Sequence, residues 1–566
     1  MQIREQLEAI VDTAIAAAIS DGTLALETAP AAALERPRDP ENGDWASTVA
    51  MRSAKLAHAN PRQIAEAIVA HLPENETIKS AEIAGPGFIN FRLADAALQS
   101  VIAAVREQRS DYGRGTIAEG ERKVNLEYIS ANPTGPMHIG HGRWATLGDS
   151  MARVMRHAGY DVYEEFYVND HGTQMDVFGN SIAVRYMQLL GHDVQMPEQC
   201  YGGAYVVDIA QGIIDREGRA YEDMSDDERM AAMREIGYRE MLDDQRTLLE
   251  RFGTTFDCWF SESNLYAEDA DGKSAVDRAL EVMREHGYLY EAEGATWFRS
   301  TEFGDDKDRV LIKANGELTY FTSDMAYHYD KVCRGFDHLI NIWGADHHGY
   351  IKRCEAMMEA WGHPGMLEVV LGQLVNLLRN GEPVRMSKRT GEMVTFAELV
   401  DEVGVDATRY LMLSRSSDQM IDFDIEVAKK QDASNPVYYV QYAHARICSV
   451  LRKAAGDDAP ADELAARIVP ADADLSVLTH ESELALMRKM DDFAELIALA
   501  ARDRAPYRLT HYAQELASLF HQFYTNCHII GEEPAVQNAR LALADATRIV
   551  LALTLDLLGV SAPERM

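Results

Sequence analysis

Cysteine is scarce in this sequence, with six in 566 residues. Cys200, Cys258, Cys333, Cys354, Cys448 and Cys527 form no CxxC pair and no zinc-ligand spacing. That speaks against a disulfide framework or a zinc site and for reduced thiols in a cytosolic protein. Long apolar runs are missing as well. Nowhere do about eighteen uncharged apolar residues follow one another, as a bilayer-spanning helix requires. At the start of the chain Arg4, Glu5, Glu8 and Asp12 interrupt the apolar positions, and no small-residue cleavage site follows a basic start. An amphipathic helix is expected there rather than a leader, together with a cytoplasmic location and no membrane partner. Positive charge is in deficit: 55 Lys and Arg against 91 Asp and Glu give a net charge of -36. A general nucleic-acid binder is excluded, because non-specific affinity comes from Lys and Arg releasing phosphate counterions, and any RNA partner must be met by local basic patches.

What is present is the material of a multi-domain globular enzyme. The chain is several times the size of one hydrophobic core, and 47% hydrophobic with 26% charged residues is an ordinary soluble balance. Residues 1–115 read as a small α+β domain: a turn-rich loop at Pro37 to Asp44, helical spacing at Ala65 to Leu72, and a strand in Gly85 to Leu93 after a Gly-Pro-Gly turn. The glycine-rich stretch Tyr112 to Gly120 looks like a linker. Residues 116–426 read as an α/β nucleotide-binding domain of Rossmann type whose first strand is Lys123 to Ser130, with a helical insertion around 176–250. In residues 427–566 Gly and Pro are sparse and helical patterns such as Tyr438 to Leu451 and Tyr512 to Tyr524 predict an all-helical bundle.

The strongest local signal is Glu127-Tyr-Ile-Ser130-Ala-Asn132-Pro-Thr-Gly-Pro136-Met-His138-Ile-Gly140-His141-Gly-Arg143. Two prolines stop the strand, Gly135 and Gly140 allow close backbone approach, and the next helix shows an apolar face at Trp144, Leu147, Met151 and Val154. Such a helix start turns backbone N–H groups and a partial positive charge toward a phosphate, and His138 and His141 add donors one turn apart. ATP is the natural ligand, although a structural histidine pair or metal ligation also fits the two residues taken alone. Far downstream, Arg385-Met386-Ser387-Lys388-Arg389-Thr390-Gly391 puts three cations on a short loop, suited to clamp polyphosphate.

In this order and separation the two segments resemble the HIGH and KMSKS signatures of class I aminoacyl-tRNA synthetases. Arg385 stands where that pattern usually has Lys and Arg389 at its final Ser, which leaves their roles open, while Lys388 matches. Within the class the chain resembles the bacterial-type arginyl-tRNA synthetases nearly end to end. Gly43-Asp-Trp-Ala-Ser47, Asn60-Pro-Arg62 and Gly85-Pro-Gly-Phe-Ile-Asn90 look like their N-terminal domain. Asn435-Pro-Val-Tyr438-Tyr439-Val-Gln-Tyr442-Ala-His444-Ala-Arg446 looks like the opening of their anticodon-binding domain, and the chain ends in Glu564-Arg565-Met566.

The resemblance implies a class I Rossmann catalytic domain that activates L-arginine with ATP and Mg2+, without zinc or another protein-bound metal, and transfers it to the 3′ end of tRNA(Arg). It implies a monomer, and activation that needs bound tRNA. His138, His141 and Lys388 would be catalytic, with Pro136, Gly140, Asp346, His348, Met386 and Ser387 joining them at ATP. Arginine presents a planar fork of donors with a permanent charge, so its site needs carboxylates and an aromatic wall. The resemblance assigns Glu262, Tyr320 and Asp324 to the guanidinium and Glu127, Ser130 and Asn132 to the amino-acid end. Asn90, Tyr439, Tyr442, Arg446 and Met566 would touch tRNA, through base stacking that an acidic protein tolerates. Taken alone, each acid reads as a surface charge and the tyrosines as core packing that can also serve stacking, while the Asp346-His347-His348 run at a strand's carboxyl end reads as a ligand contact, with metal binding the minority alternative since nothing else with ligand spacing accompanies it.

Overall fold

The structure is a computed structural model that describes residues 3–37, 39–384 and 394–566. The chain opens with the helix Ile3–Ser20, which buries Ile3, Leu7, Val11, Ala14, Ile15 and Ala18 as one stripe. A four-stranded antiparallel sheet follows, with spatial order Leu34–Glu35, Trp45–Ser47, Phe88–Leu93, Ile78–Ala84. The predicted Gly-Pro-Gly turn joins its last two strands. A Cβ at Gly87, where φ is +145°, would stand 2.9 Å from Pro61. This part rests on the C-terminal helices through buried or half-buried cations: Arg36 stacks 3.8 Å over Trp45 and pairs with Asp491 at 2.5 Å. Arg106 meets Asp545 at 3.3 Å. Tyr112, expected in a linker, is buried and its hydroxyl donates to the Met490 carbonyl.

The centre is a five-stranded parallel sheet of β1 (Lys123–Glu127), β2 (Asp161–Val168), β3 (Cys258–Ser261), β4 (His338–Gly344) and β5 (Leu367–Gly372), in spatial order β5-β4-β1-β2-β3. The order reverses between β1 and β4, where the crevice at the strands' carboxyl ends takes ligands in such sheets. α1 (Ile139–His157) returns the chain from β1 to β2 and buries Leu147, Met151 and Val154, about 1.5–3 kcal/mol each relative to exposure. Between β2 and β3 the predicted helical insertion consists of α2 (Thr173–Leu189), α3 (Ala204–Glu217) and α4 (Asp226–Arg251), with a small core of its own around Phe178, Ile182 and Ile213. Between β3 and β4 lies a three-stranded antiparallel sheet, Leu289–Ala292, Ala295–Phe298 and Arg309–Ile312, which the sequence reading missed. α5 (Tyr320–Cys333) leads back to β4.

The C-terminal part is helical, with α6 (Pro436–Ala455), α7 (Tyr507–Asn526) and α8 (Pro534–Leu557) as its longest members. The tail folds back onto α6: Gln441 donates to the Ser561 carbonyl at 2.9 Å and His444 Nδ1 lies 2.9 Å from the Pro563 carbonyl. Arg409, fully buried, ties the parts together. It donates to the carbonyls of Leu558 and Phe252 and forms an ion pair with Asp149 of α1. A Cβ on Gly559 would collide with its guanidinium. Among the described residues no helix is long and apolar enough to cross a membrane.

Candidate active site

β1 ends at Glu127, and the next residues leave the sheet by an unusual route: Ile129 and Ser130 take φ of +69° and +44°. Two successive non-glycine residues in the left-handed region, one β-branched, persist only where their surroundings over-determine them, and such strain gathers at functional sites. The Ser130 hydroxyl donates to Glu127 Oε1 at 2.9 Å and accepts from the Tyr167 amide at 3.1 Å, which pins the turn. Gln245 of α4 and Tyr205 of α3 hold the following loop by donating to the carbonyls of Asn132 and Thr134.

The chain then enters α1 at His138, and the two histidines cap it reciprocally. The His141 amide donates to His138 Nδ1 at 3.4 Å and the His138 amide to His141 Nδ1 at 3.2 Å, with the rings stacked 3.6 Å apart. A ring nitrogen that accepts an N–H carries no proton there, so the cap leaves Nε2, the outward nitrogen, as the ring donor of both histidines. Burial, and then the charge of His138, push His141 well below its ordinary pKa. The helix start therefore offers two outward N–H donors at its positive end. Phe396 reaches back to this point: its amide donates to the Met137 carbonyl, and a Cβ on Gly142 would strike its ring at 2.4 Å. Thr395 bridges His138, so the segment following the predicted cationic loop is anchored at the histidines. Arg385, Met386, Ser387, Lys388 and Arg389 lie outside the described residues.

Three carboxylates, Glu127 at the end of β1, Glu262 just past β3 and Asp324 early in α5, meet around Tyr167. Glu262 is 5% exposed and receives the Tyr266 hydroxyl at 3.3 Å. Burial raises its pKa, opposed by the hydroxyls of Tyr167 and Tyr266. Burial raises Asp324 to about 7, with a Tyr350 hydrogen bond opposing the rise and the charges of Glu127 and Glu262 adding to it. The Tyr167 hydroxyl, pushed far up by burial, feels Glu262, Asp324 and Glu127 in turn. An aromatic wall of Tyr167, Phe260 and Tyr327 backs the cluster, with ring centroids 4.6–6.2 Å apart. Such a surplus of negative charge in a buried, aromatic-walled cleft suits a cationic guest.

Of the residues predicted for this cleft, Glu127, Ser130, Glu262 and Asp324 come together. Tyr320 stands one turn before Asp324 and is 75% exposed. Asn132 is exposed and donates to Gln174 at 3.0 Å. Pro136 is exposed and Gly140 half-buried. Asp346 and His348 are exposed in the turn that follows β4. Sequence reasoning missed Tyr167 and Tyr327, and also Lys331, which donates to Glu127 at 2.7 Å. One signal was available: Asp324, His328 and Lys331 repeat at i, i+4, i+7 on α5, a polar stripe on a helix face that the fold buries.

A second region concentrates positive charge. A cavity of about 670 Å³ between α6, α7 and the tail is lined by Tyr442, Arg446, Arg452, Lys453, Tyr524 and Met566, among others. Arg446 lies 4.5 Å over Tyr524 and donates to the Tyr442 hydroxyl at 2.8 Å, while Tyr438 and Tyr442 stack 6.2 Å apart. Tyr439 packs on His521. In the N-terminal sheet Asn90 lines a cavity of about 440 Å³ with Arg36 and Phe88.

The parallel sheet, the capped histidine pair and the helical C-terminal part define a class I aminoacyl-tRNA synthetase. The family model described as "tRNA synthetases class I (R), catalytic domain" matches residues 103–449. Models for "Arginyl tRNA synthetase N terminal domain" and "DALR anticodon binding domain" match residues 5–93 and 440–566. The chain is 46% identical to the arginine--tRNA ligase of Heliobacterium modesticaldum over 567 residues, covering 100% of this chain and 99% of that one. It is also 46% identical to the arginine--tRNA ligase of Bacillus subtilis, covering 100% of both. A solved Campylobacter jejuni structure described as a putative arginyl-tRNA synthetase superposes with a TM-score of 0.76 at 36% identity, covering 84% of this chain and 100% of that one. The chain belongs to the arginyl-tRNA synthetase family.

Proposed function

We propose that this chain condenses L-arginine with ATP, carried with Mg2+, to arginyl-adenylate and pyrophosphate, and passes the arginyl group to the 3′ end of tRNA(Arg). The observation that carries this reading is the cluster of Glu127, Glu262 and Asp324 around Tyr167, at the strand ends of a sheet whose next helix begins with two Nε2–H donors. The arginine carboxylate attacks the α-phosphorus; the P–O bond to pyrophosphate breaks as the new one forms, and no protein nucleophile is required. His138 and His141 donate to phosphate oxygens as charge moves toward pyrophosphate, with Lys388 assigned to the same task. Pro136, Gly140, Asp346, His348, Met386 and Ser387 complete the ATP contacts. Glu262 and Asp324 take the guanidinium, with Tyr320 at its edge; Glu127, Ser130 and Asn132 take the amino-acid end.

We assign residues 1–115, 116–426 and 427–566 to tRNA-contacting, catalytic and anticodon-binding domains of a cytoplasmic monomer. Asn90, Tyr439, Tyr442, Arg446 and Met566 meet the tRNA. A local basic, aromatic cavity explains how a chain of net charge -36 holds RNA. Replacing Tyr442 and Arg446 together by Ala is expected to raise the KM for tRNA roughly 10- to 100-fold, since each stacked base contributes about 1–3 kcal/mol. The KM for arginine stays unchanged, and initial-rate aminoacylation measures both.

The reading as a whole is tested by aminoacylation of total tRNA with each labelled amino acid, accompanied by ATP–pyrophosphate exchange with and without tRNA. Charging of arginine alone, with exchange only when tRNA is present, is the expected result. Charging of a different amino acid, or tight tRNA binding without charging, overturns it.

A further inference from the structure

A chain of buried hydrogen bonds runs beneath the carboxylate cluster, and the reading above makes no use of it. Lys331, whose side chain is 0% exposed, donates to Glu127 Oε2 at 2.7 Å and to Asn341 Oδ1 at 3.2 Å. Its ammonium also lies 4.3 Å from the centre of the Tyr327 ring. Asn341 of β4 places its amide nitrogen 3.0 Å from His328 Nε2, and His328 Nδ1 lies 2.7 Å from the carbonyl oxygen of Asp324.

The directions of these bonds follow from the groups. An amide NH2 only donates, so His328 Nε2 accepts, the ring proton sits on Nδ1, and that N–H is given to Asp324. A protonated ring would offer the amide no acceptor. Burial, with the charge of Lys331 next, holds His328 down at about 4, so it stays neutral. The chain begins at one carboxylate, on β1, and ends at the backbone of the residue that bears another, on α5.

We propose that Lys331, Asn341 and His328 are positioning residues that fix the separation between Glu127 and Asp324, so that the cleft selects a substrate with two cationic ends at the spacing of arginine. Fully satisfied buried networks rigidify what they connect, whereas a broken one leaves an uncompensated group in the interior. The proposal rests on the assignment of Glu127 and Asp324 to arginine.

The test uses the full-length enzyme with tRNA present and compares arginine with its homologues one methylene shorter and one longer. One methylene is typically worth roughly 10- to 200-fold in discrimination. Asn341→Leu breaks the chain without changing charge; it is expected to lower the ratio of kcat/KM for arginine over both homologues by about 10-fold while leaving the KM for ATP unchanged. Lys331→Met should do the same and raise the KM for arginine further. If Asn341→Leu does not fold, Asn341→Ser, too short to reach both neighbours, carries the same expectation. An unchanged selectivity ratio in a folded Asn341 variant overturns the proposal. Glu127→Gln separates the two levels: if it leaves the KM for arginine untouched, the pocket assignment itself is wrong and the proposal falls with it.

Discussion

Asp324→Asn should raise the KM for arginine by roughly 10²- to 10⁴-fold while leaving the KM for ATP within about 2-fold, because removing one partner of a buried charge pair costs about 3–5 kcal/mol. The same carboxyl gives the native enzyme a distinctive pH profile. Burial raises Asp324 to about 7, with the negative charges of Glu127 and Glu262 adding to it. In the free enzyme it is therefore protonated below about pH 7 and ionised above. A guanidinium binds the ionised form, so arginine binding releases a proton at low pH. Log kcat/KM for arginine should rise with a slope near 1 up to about pH 7 and then flatten. In the Asn variant this limb disappears. A profile flat from pH 6 to 8 in the native enzyme would remove Asp324 from the guanidinium site.

The second large effect is expected at the helix start. His141→Ala should lower kcat for pyrophosphate exchange about 10²- to 10³-fold, the effect typical of deleting one pre-organised donor to developing charge. The KM for arginine should change little, since the imidazole is assigned to the nucleotide. The capping geometry adds a finer expectation. His141 is held neutral well below its ordinary pKa by burial and by His138, so kcat should show no limb near pH 6.5 arising from this ring. His141→Asn, which keeps a donor without a titrating ring, is expected to recover part of the loss. Equal activity of His141→Ala and the native enzyme in single-turnover exchange would assign the pair to structure alone.

These expectations draw on features of unequal legibility. β1, the loop with its prolines and α1 were readable because turn chemistry and helical periodicity are local. The insertion and the long C-terminal helices were readable for the same reason. The small sheet from Leu289 to Ile312 was not: its strands are four residues each, too short for alternation to rise above noise. The pocket was half legible. Glu127, Glu262 and Asp324 sit on three segments widely separated in sequence, and each acid alone reads as a solvated charge. Only resemblance to a family joined them beforehand, and only the fold shows that Tyr167 lies among them. Lys331 was out of reach by single-residue reasoning, since a lysine on a helix is almost always at the surface.

Arg409 bears on how such a chain can be divided. Its guanidinium is closed in by the end of the last helix, the end of the insertion and the acid of α1. The C-terminal helices are therefore not a bead on a string that can be trimmed or exchanged. Excising them would strip the Leu558 carbonyl from a buried cation and open a common core that runs from Ile3 through β1 to Val560. A buried donor left without its acceptor costs about 1–3 kcal/mol even while the pair with Asp149 stays intact, a large part of a typical domain's net stability. Grafts between relatives therefore have to carry Arg409, Asp149 and Gly559 as a set.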